Sequence, residues 1–325
     1  MNPRRDSRLG CPPGTQIHAR NTLTPEGRTP ASREGLHFIA MIDHNTPKKE
    51  RLPNTHGKMR NEGDQVILPL KDALRDGKLI IGTILTVASP EVAEALALLG
   101  FDWIFIDLEH TNLSIQDAQM AIQAVANRSY TLVRVPDGTR ENIERVLDTG
   151  CSGIIVPLVN SESYARRIVD FAKYPPLGER SVGLGRAQGF GLSFKEYLQS
   201  ANAQTAVIVQ IEHRDAVSNV DQILSVPGID AVFIGPYDLS GSLGLLGQIS
   251  HADVTTAISA VRTACLRRNS TYGIYCGNAE QARAEISAGA RLIAIGTDLL
   301  HMAGSARSVV EALRMFQLEH NVITK

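Results

Sequence analysis

The stretch WIFIDLEHTNLS, residues 103–114, places three titratable side chains directly after an apolar run. Asp107, Glu109 and His110 fall within four residues, where the run Ile104–Ile106 gives way to polar residues. Charged groups are costly to hold against an apolar element unless they are paired or reach water. The pattern therefore predicts a strand whose tip enters a polar pocket, where these groups can pair with one another, a metal and a substrate.

Polar side chains also end other apolar runs of the same kind. They are Arg134 in LVRVP, Gln210, Glu212 and His213 in VQIEH, and Asp238 after FIGPY. Glu212 and Asp238 are oxygen donors suited to a hard divalent cation, and two carboxylates leave positions for water and substrate oxygens. The alternative is that each of these two carboxylates caps a helix or pairs with an arginine.

Arg134 is a permanently charged side chain inside an apolar strand, so it needs an anionic partner. Its fork suits a carboxylate or a developing enolate oxygen, and a structural salt bridge to Asp107 or Glu109 is the open alternative. His110 is a candidate acid–base group near neutral pH. Asp148 is its candidate carboxylate partner or a surface residue, and His213 is interpreted as structural or as a support to the site.

The lysine positions argue against imine chemistry. The lysines beyond residue 60 are Lys71, Lys78, Lys173, Lys195 and Lys325, and none ends an apolar run. A Schiff-base aldolase needs a lysine in its pocket. Serine and cysteine nucleophiles lack support too, since Cys276 is better read as buried and inert. Metal-assisted chemistry on a small oxyacid remains.

The elements that must position these residues alternate along the chain from Val66 onward. The predicted strands are Leu79–Leu85, Trp103–Leu108, Thr131–Val135, Gly153–Pro157, Ala206–Glu212, Ala231–Gly235, Tyr272–Cys276 and Leu292–Gly296. The predicted helices include Pro90–Leu99, Ile115–Ala126, Arg140–Thr149, Ser161–Ala172, Ala252–Arg268 and Ala279–Ala288. Ser89, Ser114 and Thr139 are typical helix caps, and Gly100, Gly150 and Gly289 typical helix ends.

Eight strands that alternate with helices over about 250 residues predict a (β/α)₈ TIM barrel, with the site at the carboxyl ends of the strands. A doubly wound sheet is the second possibility. It usually has a glycine-rich first turn, which residues 82–86 do not supply, and the later GLGRAQGFG (residues 183–191) does not lead from a strand into a helix.

Composition limits the partners and the compartment. The net charge of −1 gives no reason to expect nucleic acid or an anionic membrane as a partner, and no apolar run approaches the length of a membrane helix. The four cysteines lack metal-site and disulfide spacing. We therefore predict a soluble, cytoplasmic protein in a reducing compartment.

The first part of the chain differs from the rest. Residues 1–60 carry 11 Lys and Arg, 5 Asp and Glu and seven prolines, with no sustained apolar periodicity. Such a segment buries too little surface to offset its ordering entropy. We predict a disordered or non-native extension over residues 1–62 and a barrel domain over residues 63–325. The extension is either a flexible tail or the product of an upstream start codon, with Met41 or Met59 as the true first residue.

Taken together, these motifs resemble those of the HpcH/HpaI aldolase family, class II metal-dependent pyruvate aldolases of the phosphoenolpyruvate/pyruvate barrel superfamily. The resemblance rests on FDWIFIDLEH, LVRVP, GIIVPLV, YPPLGERSVG, VQIEH and FIGPYDLSGSLG, in this order and spacing, and covers roughly residues 66–318. It implies a carbon–carbon lyase (an aldehyde-lyase) that depends on Mg²⁺, Mn²⁺ or Co²⁺. Trimers or hexamers with an exchanged terminal helix, here within residues 298–318, are also implied.

The resemblance assigns roles to individual residues. It implies metal ligation by Glu212 and Asp238, substrate and enolate contact by Arg134, and acid–base catalysis by His110 with Asp148. It also implies a pocket role for Gln210, with Asp107 and Glu109 supporting the site. Gly235, Pro236 and Tyr237 match a turn whose amides hold the pyruvate carboxylate; Tyr237 is a small residue in some relatives, and its bulk here would tighten the pocket rim.

The implied reaction is reversible cleavage of a 4-hydroxy-2-oxo acid to pyruvate and an aldehyde through a pyruvate enolate. Decarboxylation of oxaloacetate would use the same site and stays open as an alternative. Cleavage of a CoA ester is less favoured, because no basic CoA-binding patch is evident. A noncatalytic barrel that binds metabolites, with the charges as a structural ion-pair network, is the alternative from another class. The aldehyde partner is left undetermined.

Overall fold

The chain folds as a closed barrel of eight parallel strands that follow one another in sequence order. The structure, a computed structural model, describes residues 69–319. The strands are β1 (Ile80–Leu85), β2 (Trp103–Asp107), β3 (Tyr130–Arg134), β4 (Gly153–Val156), β5 (Ala206–Ile211), β6 (Ala231–Ile234), β7 (Thr271–Cys276) and β8 (Leu292–Thr297). The predicted (β/α)₈ TIM barrel is confirmed, and every predicted strand is found to within one residue. The predicted extension over residues 1–62 lies outside the described residues.

Helices follow the strands around the outside of the barrel. They are α1 (Leu70–Arg75), α2 (Pro90–Leu98), α3 (Ile115–Val125), α4 (Arg140–Asp148), α5 (Glu162–Ala172), α6 (Phe194–Gln204), α7 (Arg214–Ser218), α8 (Val220–Leu224), α9 (Pro236–Ser242), α10 (Ala252–Arg267), α11 (Ala279–Ser287) and α12 (Asp298–Glu319). The six predicted helices are confirmed, whereas α1 and α6 to α9 were not predicted. No helix within residues 69–319 is both long and apolar enough to cross a bilayer.

Side chains at the helix starts explain why the helices begin where they do. The hydroxyl of Ser89 accepts the N–H of Val92, and the hydroxyl of Thr139 accepts that of Asn142. Ser114 and Asp117 form a reciprocal capping box. Each arrangement satisfies N–H groups that have no partner inside the helix. The predicted caps are therefore present, and they set where α2, α3 and α4 begin.

The lumen of the barrel is filled by large apolar side chains from alternate positions of the strands. Trp103, Phe105 and Phe233 pack on one another there, with ring centroids 5.7–6.2 Å apart. Leu70 and Leu74 of α1 belong to the same core, so α1 covers the amino end of the barrel. A second core fills the space between the outer faces of the strands and the helices. The lumen is consequently closed at the amino ends of the strands and open at their carboxyl ends.

Strand register brings the polar residues together above this apolar filling. Asp107 lies beside Arg134, two residues beyond the paired positions Phe105 and Leu132. Because side chains alternate along a strand, a residue two places after a lumen-facing one also faces the lumen. The carboxyl ends of the strands therefore carry a polar layer directly above the aromatic one.

Candidate active site

Arg134 and Asp107 form a buried ion pair at the centre of the polar layer. Nε and Nη2 of Arg134 donate to the two carboxylate oxygens of Asp107 at 2.8 and 2.7 Å. The guanidinium also lies 5.1 Å from the ring centroid of Phe105. The salt bridge that the sequence left open is thus present, in the two-pronged geometry that arginine and carboxylate favour.

Asp107 is held in its charged form by its surroundings. Burial acts to raise its pKa, but the hydrogen bonds and charge of Arg134 outweigh burial and lower the pKa below its usual value. The backbone N–H of Glu109 also donates to Asp107, at 3.0 Å. The carboxylate therefore anchors both Arg134 and the loop that follows β2.

The pKa of Glu109 is shifted in the opposite direction to that of Asp107. Burial raises its pKa to about 7, and the charges of Asp107 and Asp238 add to the rise while Arg134 opposes it. Its Oε2 lies 3.2 Å from Nε of Arg134, yet it makes no hydrogen bond, because the single N–H of Nε points to Asp107. A buried carboxylate oxygen without a donor is ready to accept one from a ligand or water.

Glu212, which directly follows β5, is a buried carboxylate of the polar layer. Its Oε1 accepts the N–H of Leu158 at 2.7 Å, and its Oε2 contacts the amide nitrogen of Gln210. Burial raises the pKa of Glu212 to about 7, with the charges of Glu109 and Asp238 adding to the rise. Glu109 and Asp238 thus add negative charge around the buried Glu212, and a divalent cation would offset it.

The oxygen atoms in this part of the site suit a divalent cation, and one further observation supports this. Oε1 of Gln210 is buried and has no hydrogen-bond partner among the described residues. Glu212 and Asp238 offer hard oxygen ligands, and Asp238 is exposed on the first turn of α9. Residues 69–319 contain no set of three or more His, Cys, Asp or Glu side chains placed around one metal position. A cation here would complete its shell with water and substrate oxygens.

The turn between β6 and α9 leaves room beside these groups. A Cβ on Gly235 would lie 2.8 Å from Oε2 of Glu212 and 3.0 Å from Nε2 of Gln210, so a side chain here would displace both. Pro236 begins α9, and Tyr237 follows at the rim of the barrel. Gly235 thus lies against Glu212 and Gln210. That the turn formed by Gly235, Pro236 and Tyr237 holds a substrate carboxylate stays a prediction.

His110 stands at the outer edge of the site. Its side chain is 62% exposed, and its Nε2 lies 3.6 Å from Oε2 of Glu109. His213 instead caps α7, where its Nδ1 accepts the N–H of Asp215 at 3.2 Å. Of the two predictions for His213, the structural one is confirmed.

Asp148 requires a correction, because it does not lie near His110 within one chain. α4 runs back from the carboxyl end of β3 to the amino end of β4, and Asp148 is its last residue. There its carboxylate accepts from Nη2 of Arg180 at 2.7 Å and from the amide of Gln188 at 3.3 Å. The predicted pairing of Asp148 with His110 therefore cannot form inside a single barrel.

Asp298 is a site-shaping residue that the sequence reasoning missed. It directly follows β8, and its carboxylate accepts from the backbone N–H and hydroxyl of Thr86 and from the N–H of Val87, at 2.5–3.1 Å. These bonds fix the loop after β1 against the end of β8. The rule that found the other strand-end acids applied here too, since Asp298 also follows an apolar run.

Comparisons with known proteins point to one family. Residues 81–304 match the family model for HpcH/HpaI aldolase/citrate lyase. The chain is 37% identical over 244 residues to a hydroxypyruvate/pyruvate aldolase of Roseobacter denitrificans, covering 74% of this chain and 94% of that one. It is 38% identical over 242 residues to a 4-hydroxy-2-oxo-heptane-1,7-dioate aldolase of Shigella sonnei, covering 74% and 92%.

A solved structure supports the same relationship. A HpcH/HpaI aldolase/citrate lyase family protein from Burkholderia cenocepacia superposes with a TM-score of 0.73 at 37% identity, covering 75% of this chain and 98% of that one. The relatives named in these comparisons are carbon–carbon lyases, the class that the sequence predicts.

Proposed function

Because the chain belongs to the HpcH/HpaI aldolase/citrate lyase family, we propose that it is a class II aldolase that cleaves a 4-hydroxy-2-oxo acid to pyruvate and an aldehyde. The observation that carries the proposal is Glu212, which is buried after β5 against Gln210 and Gly235. Burial raises its pKa to about 7, and the charges of Glu109 and Asp238 add to the rise. A divalent cation held by Glu212 and Asp238 accounts for this concentration of carboxylates.

The cation would be Mg²⁺, Mn²⁺ or Co²⁺, each of which suits two carboxylates and water. When bound, it supplies Lewis-acid polarisation of the 2-oxo group and makes the adjacent C3 position more acidic. Glu212 and Asp238 would hold it, and the unpartnered Oε1 of Gln210 would accept a hydrogen bond from water or a substrate hydroxyl. The N–H groups after Pro236 would contact the substrate carboxylate.

Arg134 would stabilise the enolate. Asp107 occupies its Nε and one N–H of Nη2, whereas its Nη1 makes no hydrogen bond within residues 69–319. The two N–H groups of Nη1 are therefore open to an oxyanion that forms in the mouth. Because the Asp107 pair fixes the guanidinium beforehand, little reorganisation is needed as negative charge develops on the former carbonyl oxygen.

His110 would move the proton of the C4 hydroxyl. In cleavage, this hydroxyl loses its proton, the C3–C4 bond breaks, and the electron pair remains on pyruvate as the enolate. His110 is exposed at the mouth, where water can relay that proton. A carboxylate partner from Asp148 would have to come from a second copy of the chain, since within one barrel the two residues lie at opposite ends.

The test is release of pyruvate, coupled to lactate dehydrogenase, from a panel of 4-hydroxy-2-oxo acids and oxaloacetate. Each substrate is assayed with Mn²⁺ and with EDTA, on the wild type, Glu212→Ala and Glu141→Ala. Glu141 is a matched control because it is exposed on α4, on the outside of the barrel. We expect metal-dependent release that Glu212→Ala abolishes and Glu141→Ala preserves.

Two outcomes would contradict the proposal. Release that survives EDTA and Glu212→Ala would exclude the metal site as the origin of activity. No release from any substrate, together with no thermal stabilisation by Mn²⁺, would favour the noncatalytic barrel, because a cation that binds the folded state must stabilise it. A clear preference for oxaloacetate would make decarboxylation the main activity.

We also propose that the protein works as a homo-oligomer, a trimer or hexamer, joined through α12. This helix of 22 residues exposes Leu299, Leu300, Met302, Val309, Val310, Leu313, Met315 and Leu318, each 46–73% exposed. The loop next to Asp148 likewise exposes Leu184, Phe190 and Leu192. Apolar patches of this extent are typical of surfaces covered by another copy.

Sedimentation of the full chain tests this assembly. Leu313→Glu should yield smaller species than the wild type, whereas Arg307→Ala, a change to an exposed charged residue of the same helix, should not. A wild type that sediments as a monomer at all concentrations would refute the assembly and, with it, a role for Asp148 at His110.

A further inference from the structure

The mouth of the barrel has a second half, which the proposed chemistry leaves unused. Arg134, Asp107 and Glu212 lie on β3, β2 and just after β5, whereas β7, β8 and β1 supply none of the proposed catalytic groups. An aldolase must hold an aldehyde as well as pyruvate. Because the barrel is a closed ring, the part of the mouth across from Arg134 is formed by β7.

Tyr275 is the side chain that β7 presents to the mouth. A Cβ on Gly273 would meet the lumen residue Phe233 at 2.8 Å, so position 273 faces the lumen. Tyr275 is two residues further along β7 and therefore faces the same way, one layer higher. It packs partly buried against the lumen core. Its ring thus stands at the level of the polar layer.

Tyr237 continues this aromatic surface to the rim. Its ring centroid lies 6.0 Å from that of Tyr275, at an interplanar angle of 60°. Tyr237 is 45% exposed and directly precedes Asp238, one of the two proposed cation ligands. Neither phenol hydroxyl makes a hydrogen bond to any residue in the range 69–319. The pair offers two ring faces and two open hydroxyl groups on this side of the mouth.

The charge of this half of the mouth limits what can bind there. The segments after β6, β7, β8 and β1, residues 235–242, 277–280, 298–301 and 86–91, contain four acids and no Lys or Arg. A second carboxylate on the aldehyde would find no cation in these segments and would meet their negative charge. Hydroxyl groups, in contrast, can pair with the phenols.

We propose that Tyr275 and Tyr237 form the aldehyde-binding wall of the site, selecting an uncharged aldehyde that carries a hydroxyl group. This inference rests on the proposed aldolase function and names its substrate class. In the addition direction, C3 of the pyruvate enolate forms a bond to the aldehyde carbon, and the aldehyde oxygen takes up a proton to become the C4 hydroxyl. The wall holds the remainder of the aldehyde during that step.

The experiment compares three aldehydes as acceptors of pyruvate. Lactaldehyde and propanal share a carbon skeleton and differ by one hydroxyl, whereas succinic semialdehyde carries a carboxylate. Exchange of the pyruvate C3 protons in D₂O, followed by NMR without aldehyde, reports enolate formation separately. The variants are Tyr275→Phe and the control Tyr272→Phe, which lies on the same strand but outside the lumen, in the outer core.

We expect the wild type to favour lactaldehyde over both other aldehydes, by about tenfold in kcat/KM. Tyr275→Phe should lower the ratio of kcat/KM for lactaldehyde to that for propanal roughly fivefold to tenfold, which corresponds to the loss of one hydrogen bond. The same variant should affect proton exchange far less. Tyr272→Phe should leave the ratio unaltered.

The outcomes separate the two proposals. If proton exchange is present but succinic semialdehyde is the better acceptor, or if Tyr275→Phe leaves the ratio unaltered, the aldehyde-binding wall is refuted while the enolate chemistry stands. If the wild type shows no proton exchange with any of the three divalent cations, the aldolase function is refuted and this inference falls with it.

Discussion

Replacing Arg134 with methionine tests whether the buried charges at the mouth depend on one guanidinium. Among residues 69–319, Arg134 is the only cationic side chain in contact with Asp107, whose side chain is 5% exposed. Removing one partner of a buried pair costs about 3–5 kcal/mol, because the other charge is left without compensation. We expect Arg134→Met to lower the free energy of unfolding by that amount near neutral pH and to abolish aldol cleavage.

The pH dependence of this loss identifies its cause. In the wild type, Arg134 holds the pKa of Asp107 below its usual value, so the pair contributes stability above that usual pKa and loses it as pH falls. In the variant, only the backbone N–H groups of Glu109 and His110 still oppose burial, so the pKa of Asp107 rises and the folded variant takes up a proton more readily. The difference between wild type and variant should therefore shrink from about pH 7.5 to about pH 4.5.

Urea unfolding at fixed protein concentration measures the effect. The control is Arg140→Met, since Arg140 pairs with Glu179 at the surface and exposed pairs contribute about 0–1 kcal/mol. Adding Asp107→Asn to Arg134→Met should restore part of the loss, because the buried charge of Asp107 is then removed as well. A loss below about 1 kcal/mol, or one that does not change with pH, would refute the reasoning.

Three further predictions concern the carboxylates of the mouth. Gly235→Ala should displace Glu212 and cost about 100-fold in kcat/KM, and an unaltered kcat/KM would contradict the close approach. The raised pKa of Glu212 adds stability to the metal-free protein at low pH, which is lost as pH rises through about 7. Glu212→Gln should therefore flatten the pH profile of the unfolding temperature between the usual pKa of a glutamate and about 7. An unaltered profile would show that Glu212 is not the group responsible for this pH dependence. Asp298→Asn should lower the free energy of unfolding by about 1–3 kcal/mol, since three donors lose a charged acceptor; urea unfolding with no loss would show that these bonds contribute little.

The strands and the acids at their ends could be predicted because both depend on local rules. Short apolar runs bounded by turn residues mark buried parallel strands, and strand-end polar residues of a barrel meet at one face. Glu212 and Asp238 were found in this way. The pKa values were beyond such rules, because the pKa of Glu212 depends on burial and on neighbours 54 or more residues away in sequence, such as Leu158 and Glu109.

The position of Asp148 was missed although the predicted fold implied it. A helix that follows a barrel strand must return to the amino end before the next strand begins, so its last residue lies far from the mouth. Spacing in sequence does not include this reversal. The helices α7 and α8 were missed for another reason: five residues each are too few to show a helical period, and such short helices owe their stability to tertiary packing.

The way α1 covers the barrel has a practical consequence for handling the protein. Since α1 packs under the lumen, residue 69 enters the fold at the end of the barrel remote from His110 and the aldehyde-binding wall. A fusion partner or a solid support joined directly at residue 69 would begin at the closed end. Substrates would then still reach the open end by diffusion, which makes residue 69 a suitable attachment point for an immobilised form of the barrel.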